Sequence, residues 1–133
     1  MNCIYTVNSN YSAAADGMIP VGTIVRRQGC GMNIDGGAIS CGGRGYYKVT
    51  VCATITPTTA GPVGVRVFQD GVQVPGASSV GTGETTSPTS VCTCTMIRND
   101  QRGMTMISVW LDSQGATTGS MIENMTVCVE ESR

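Results

Sequence analysis

The most regular pattern in this chain is an alternation of apolar and polar residues over positions 45–56, which opens with a glycine and two tyrosines. Every second position there is apolar: Tyr47, Val49, Val51, Ala53 and Ile55. The positions between them carry lysine, threonine and cysteine. A period of two places the two sets of side chains on opposite faces of a pleated strand. The segment is therefore predicted to be a β-strand with one face in a core.

A second alternating segment lies near the C-terminus, over positions 104–112. Its two faces carry Thr105, Ile107, Val109 and Leu111 on one side and Met104, Met106, Ser108 and Trp110 on the other. Both faces are largely apolar, and a strand of that kind is covered on both sides. One face can lie in a core, whereas the other needs a neighbour that a second subunit could supply.

Shorter runs of the same period recur between glycine-rich and Asp-Gly turns, at intervals of about 8 to 12 residues. No stretch of comparable length has a helical period. This pattern predicts an all-β fold, a two-sheet antiparallel sandwich of the jelly-roll type, rather than a parallel α/β sheet.

The first part of the chain lacks such a pattern. Residues 1–19 are polar, small and unpatterned, and are predicted to form an N-terminal arm, either a frayed end or a tether onto a partner surface. Ile4, Tyr5 and Tyr11 are its candidate attachment residues. Residues 20–133 are predicted to form the jelly-roll domain, since the whole chain has the length of one domain.

Composition narrows the range of partners. A net charge of −1 and a charged fraction of 13% argue against capture of nucleic acid or an anionic membrane, which both need clustered lysine and arginine. No apolar run approaches the roughly 20 residues of a membrane helix. The first residues lack the basic and apolar regions of a secretory signal, so none is expected.

The residue types also argue against an enzyme. Histidine, the side chain that most readily titrates near neutral pH, does not occur in the sequence. The aspartates Asp35, Asp70, Asp100 and Asp112 fall at predicted turns, where aspartate is favoured for its backbone hydrogen bonds. We therefore expect no catalytic residues, no cofactor and no metal site.

Seven cysteines at irregular spacing fit poorly with a closed disulfide framework, so we expect reduced thiols. Cys52, Cys92, Cys94 and Cys128 lie in predicted strands, where free cysteine behaves as a small buried hydrophobe. Cys30 and Cys41 flank a glycine-rich loop, and a hairpin there could allow one bridge after release from a reducing cell.

Three segments, GYYKV at 45–49, VRVFQDGVQVPG at 65–76 and ISVWL at 107–111, resemble in order and spacing the tumour-necrosis-factor-like jelly roll. This family includes complement globular heads, trimeric knobs of spore-surface glycoproteins and small phage and prophage proteins. The resemblance implies a homotrimer in which aromatic side chains fill the contact. By position it gives this role to Phe68 and Trp110, together with Met104 and Met106. The alternative is that both aromatic residues lie in the core of one subunit.

The phage members imply the function that we expect. It is a non-enzymatic structural role in a phage particle, as a capsid decoration or head-fibre protein. Such a protein is made in the host bacterial cytoplasm and is bound on the virion to the major capsid protein or another virion protein. The alternatives are a trimer that recognises a host-surface glycan or receptor through residues 76–88 and 114–120, which contain no aromatic residue, and a spore-coat component.

Overall fold

The computed structural model describes residues 2–100 and 102–132. The predicted arm begins at residue 1 and the predicted domain ends at residue 133, and both of these residues lie outside the described ranges. The strands are β1 (Cys3–Ala13), β2 (Met18–Ile19), β3 (Thr23–Gln28), β4 (Met32–Asp35), β5 (Ala38–Gly42), β6 (Gly45–Pro57), β7 (Gly61–Gln69), β8 (Val72–Gly83), β9 (Thr89–Asn99), β10 (Met104–Asp112) and β11 (Ser120–Ser132). Within the described residues, no helix is long and apolar enough to cross a membrane.

The strands form two antiparallel sheets. The five-stranded sheet has the order β3-β1-β11-β6-β9, and the six-stranded sheet has the order β4-β5-β10-β7-β8, with β2 paired to β10. Successive parts of the chain pass from one sheet to the other, from β5 to β6, from β8 to β9 and from β10 to β11. The predicted two-sheet antiparallel jelly-roll sandwich is confirmed.

The core lies between the facing sides of the two sheets. The alternation that predicted β6 is confirmed, because Tyr47, Val49, Val51 and Ile55 are fully buried on one face. The inner face of β10 is buried to the same extent, since Ile107, Val109 and Leu111 are fully buried. Burial of these side chains removes apolar surface from water, which is the main favourable term in folding. The sandwich therefore has a continuous core within one chain.

The N-terminal segment is a strand rather than the predicted arm. Strand β1 pairs with β11 along almost its whole length and with β3 on its other side, so it lies inside the five-stranded sheet. Its inner residues Ile4 and Thr6 are fully buried. The domain therefore includes β1 and does not start at residue 20.

The segment over residues 76–88, predicted as a loop with one short strand near residues 78–80, also differs. Strand β8 continues to Gly83 and pairs with β7, and Ala77 in its middle is fully buried. Of the predicted loop, the part that is not strand is the turn after β8, which is closed by a bridge between Glu84 and Ser87. The second predicted loop is confirmed, because residues 114–119 connect β10 to β11.

The cysteines of the predicted strands are not buried as expected. Cys92 and Cys94 are exposed, and Cys52 and Cys128 are half-buried, because all four point outward from the five-stranded sheet. All seven cysteines are free thiols. The suggested bridge between Cys30 and Cys41 is not formed, since Cys41 lies in the core and Cys30 is exposed.

Candidate interaction surfaces

The outer face of the six-stranded sheet carries an aromatic pair. The register of β7 and β10 places Phe68 opposite Ser108 and Arg66 opposite Trp110, so the two aromatic residues are diagonal neighbours. Their ring centroids lie 5.5 Å apart with an angle of 47° between the ring planes. This is a favourable tilted arrangement of two aromatic rings. Both side chains are half-buried and lie outside the core cluster, which excludes the alternative that they fill the core of one subunit.

Arg66 completes this arrangement. Its guanidinium carbon lies 5.5 Å from the centre of the Phe68 ring, within the range of a cation–π contact. One terminal nitrogen lies 3.6 Å from a carboxylate oxygen of Asp16. The Trp110 indole nitrogen donates a hydrogen bond of 3.0 Å to the hydroxyl of Ser108. We call Arg66, Phe68, Met106, Ser108 and Trp110 the aromatic patch.

The two predicted contact methionines lie along the same face of β10. Met106 is half-buried opposite Ser40 of β5, whereas Met104 lies at the end of the strand with 61% of its surface exposed. The structure therefore brings all four predicted contact residues onto one outer face. Arg66 was not among them, although it alternates with Phe68 in the sequence and so shares its face.

Strand β1 places the three predicted attachment residues in different surroundings. Ile4 is fully buried, so it cannot contact a capsid from this position. Tyr11 is half-buried and packs against the core. Tyr5 is half-buried on the outer face of the five-stranded sheet, opposite Cys128. Of the three, only Tyr5 lies where a partner protein could contact it without opening the sheet.

Two of the predicted turn aspartates hold backbone in place. The carboxylate of Asp70 accepts hydrogen bonds from the Thr105 hydroxyl at 2.8 Å and from the Met106 backbone N–H at 2.9 Å. The carboxylate of Asp112 accepts from the Gln114 backbone N–H at 3.1 Å. The expectation that these aspartates form turns is confirmed for Asp70 and Asp112.

The fold of the chain resembles the folds of several solved structures. The chain is similar to the vertex protein of phage PRD1, with a TM-score of 0.69 and 14% identity over 99% of this chain and 97% of that one. It is similar to the globular domain of the zebrafish complement 1qA protein, with a TM-score of 0.71 and 9% identity over 100% and 98% of the two chains. Murine APRIL matches with a TM-score of 0.70 and 12% identity over 97% and 98%. The fold is a tumour-necrosis-factor-like jelly roll. No family model and no curated protein matches the sequence.

A second outer surface of this tumour-necrosis-factor-like jelly roll belongs to the five-stranded sheet. Its middle rows are uncharged and rich in cysteine and threonine. We call it the thiol face, after its five cysteines Cys3, Cys52, Cys92, Cys94 and Cys128. Within residues 2–100 and 102–132, no group of three or more cysteine, histidine or carboxylate side chains is placed to share a metal ion.

One end of the jelly roll carries an open cleft of about 450 Å³, lined by Arg44, Tyr46, Arg98 and Asp100 among others. Half of the Tyr46 surface is exposed, at 51%, and the Arg98 guanidinium carbon lies 5.7 Å from the centre of its ring. The Nε of Arg98 is also 2.7 Å from a carboxylate oxygen of Asp100. We call this the Tyr46 cleft. It combines an aromatic surface with two guanidinium groups.

Proposed function

We propose that this protein is a non-enzymatic structural component of a phage particle, a homotrimer displayed on the capsid as a decoration or head-fibre protein. The observation that carries the proposal is the aromatic patch, which lies outside a core that one chain already completes. The homotrimer is what the likeness to tumour-necrosis-factor-like domains implies.

The residue types of the aromatic patch favour a contact between copies. Tryptophan, phenylalanine, methionine and arginine are enriched at the centres of protein interfaces, and tryptophan and arginine dominate binding hot spots. Met104 extends the patch along β10. A second copy packed here would remove this apolar surface from water.

Arg66 of the aromatic patch has a buried nitrogen without an acceptor among the residues described. Its Nε is buried and has no hydrogen-bond acceptor within the described part of this chain. Buried polar atoms in folded proteins are nearly always hydrogen-bonded. Because its own chain closes this nitrogen off from solvent, a carbonyl or carboxylate of a neighbouring copy would supply the acceptor only if the Arg66 side chain turned outward on assembly.

The assignment to a phage particle is supported by similarity over the whole chain to the PRD1 vertex protein. At 14% identity this similarity establishes a shared fold, and the placement on a capsid is our proposal. A trimer suits this role because three identical surfaces bound to one capsid site gain affinity through effective concentration.

Native mass spectrometry tests the trimer. We expect a mass three times that of the 13.8 kDa chain. Trp110→Ala should reduce the trimer fraction at least several-fold, because it removes the largest side chain of the aromatic patch. The matched control is Met96→Ala, since Met96 has 51% of its surface exposed on the other sheet. A monomeric wild-type protein would exclude the trimer, and equal losses in both variants would exclude the aromatic patch as its contact.

Co-sedimentation with purified phage capsids tests the location. The wild-type protein should sediment with capsids that lack it and remain in the supernatant without them. The partner capsid protein can then be identified by crosslinking. Sedimentation with whole bacterial cells but not with capsids would favour a receptor-binding protein, and sedimentation with spores would favour a spore-coat component.

A second function, recognition of an acidic glycan, is favoured by the Tyr46 cleft. An exposed tyrosine ring can stack on a sugar, and the guanidinium groups of Arg44 and Arg98 can bind a carboxylate or phosphate. We assign glycan binding to this cleft rather than to the loops at 76–88 and 114–120, because those loops carry no aromatic residue. Binding to an array of acidic and neutral glycans tests it. Tyr46→Ala should abolish binding, Tyr5→Ala should preserve it, and binding to neither glycan class would reject this function.

A further inference from the structure

Two cysteines face each other at the edge of the five-stranded sheet. Cys52 on β6 is the register partner of Cys92 on β9, and both side chains point outward from the sandwich. Residues directly opposite in an antiparallel pair have Cα atoms about 4.5–5.5 Å apart. This separation lies within the range of about 4.4–6.8 Å that disulfides span. The two cysteines can therefore be joined with little movement of the backbone.

The two thiols also interact in the reduced protein. The pKa of Cys52 is raised to about 11, first by the neighbouring Cys92 thiol and then by burial. Cys92 is exposed whereas Cys52 is half-buried, so an oxidant reaches Cys92 first.

The other cysteines of the thiol face are not placed this way. Cys94 lies opposite Thr50, whose hydroxyl donates to its sulfur at 3.7 Å, and Cys128 lies opposite the same threonine on the other side. Cys3 lies opposite Glu130. Cys94 and Cys128 lie on either side of β6, and each is diagonal to Cys52. Cys3 is diagonal to Cys128. Diagonal neighbours are about 7–8 Å apart, beyond the span of a disulfide. Geometry thus selects a single pair.

We propose that Cys52 and Cys92 are a redox modification site that forms a reversible cross-strand disulfide with a small disulfide oxidant such as oxidised glutathione. The Cys92 thiolate attacks one sulfur of the oxidant, which forms a mixed disulfide and releases one thiolate. Cys52 then loses its proton and attacks the Cys92 sulfur, which forms the protein disulfide and releases the second thiolate. Two protein thiols are oxidised, and one small disulfide is reduced to two thiols.

The crosslink would join the edge strand β9 covalently to β6. Strand β9 has only β6 beside it in the five-stranded sheet, and the bridge closes the chain segment that contains β7 and β8. Closing a long loop stabilises a fold by restricting the unfolded chain. Cys92 is exposed, so a small thiol can reach the bond once it has formed and reduce it by exchange.

The test is oxidation of the native protein in buffers of oxidised and reduced glutathione, followed by an acid quench, alkylation and peptide mass mapping. We expect the Cys52 and Cys92 peptides to become linked, with a mass lower by two hydrogens, and to separate again in excess reduced glutathione. Cys52→Ser should accumulate glutathione on Cys92, and Cys92→Ser should form no bridge to Cys52. Cys94→Ser is the matched control and should behave like the wild type.

Three results would overturn the proposal: a dominant bridge that includes Cys94 or Cys128, glutathione adducts at Cys92 without an internal bridge in the wild type, or full resistance of Cys92 to oxidation in the native protein. The wild-type map is decisive even if a serine variant fails to fold. The fluorescence of Trp110 reports whether each oxidised sample remains folded. The result does not depend on whether the protein is a phage component.

Discussion

Among the cysteines, Cys41 lies in the least polar surroundings. Its side chain is fully buried in the core, on the strand β5 that pairs with β10. This burial raises the pKa of Cys41 from 9.0 to about 12. In the unfolded chain the thiol ionises near its ordinary pKa, whereas in the folded protein it keeps its proton. Between these two pKa values the folded state binds more protons, so its stability falls as the pH rises.

This pH dependence can be measured with Cys41→Ala. Between about pH 9 and pH 12 the wild-type free energy of unfolding should fall by up to about 1.4 kcal/mol per pH unit more than that of the variant. Urea unfolding under reducing conditions, at several pH values, gives both slopes. Cys94→Ala, which alters an exposed thiol, should keep the wild-type slope. Equal slopes for wild type and Cys41→Ala would show that the thiol ionises in the folded state.

At the scale of single elements, β1 is the strand whose role differs most from expectation. It lies between β3 and β11, so removing it would leave β3 without its partner in the sheet and would expose an edge of β11. Ile4→Ala should therefore destabilise the protein by about 2–5 kcal/mol, because it leaves a cavity in the core. Ser9→Ala, on an exposed residue of the same strand, should stay within about 0.5 kcal/mol of wild type. Chemical denaturation measures both free energies of unfolding. A small effect of Ile4→Ala would support the prediction from sequence that this segment is an arm.

Strands β6 and β10 could be predicted because their inner faces are apolar at every second position, or nearly so. Strand β1 could not, because polar Thr6 and Asn8 follow Ile4 on the inward side. Their polarity is tolerated through hydrogen bonds that the sequence does not reveal. The Thr6 hydroxyl donates to the Val127 carbonyl at 3.5 Å, and the Asn8 amide donates to the Pro20 carbonyl at 2.8 Å.

Strand β8 was predicted only as two short pieces, at residues 72–74 and near residues 78–80, for a different reason. Its glycines and serines resemble a loop, yet it pairs with β7 at a close approach that a glycine of β7 allows. A Cβ added at Gly64 of β7 would lie 1.9 Å from the Ser79 carbonyl oxygen. A glycine in a strand often marks such a close approach of two backbones.

The candidate surfaces could be predicted only one strand at a time. Alternation along β10 places Trp110 on the face opposite to Leu111, and alternation along β7 places Phe68 on the face opposite to Val67. It leaves open which of the two faces lies in the core. The contact between Trp110 and Phe68 depends on the register between the two strands, which alternation within each strand does not determine. The same holds for Cys52 and Cys92, which face each other only through the register of β6 and β9.

At the scale of the whole molecule, one chain completes the sandwich but leaves apolar groups outside it. Strand β10 shows this division most clearly, since its inner face is closed by the opposite sheet while Met104, Met106 and Trp110 remain on the outer face. If a second and third copy cover that face, part of the stability of each chain arises from association. Folding and assembly are then linked by mass action.

Such linkage makes the unfolding midpoint depend on protein concentration. For a homotrimer, the thermal midpoint should rise with each tenfold increase in concentration, because higher concentration favours the associated folded state. Phe68→Ala should flatten this dependence, since it removes the ring that contacts both Arg66 and Trp110. Met121→Ala, at an exposed methionine of the five-stranded sheet, should retain it. Calorimetry over two decades of concentration measures the effect. A wild-type midpoint that does not change with concentration would mean that the aromatic patch is stable in water and that the single chain is the folded unit.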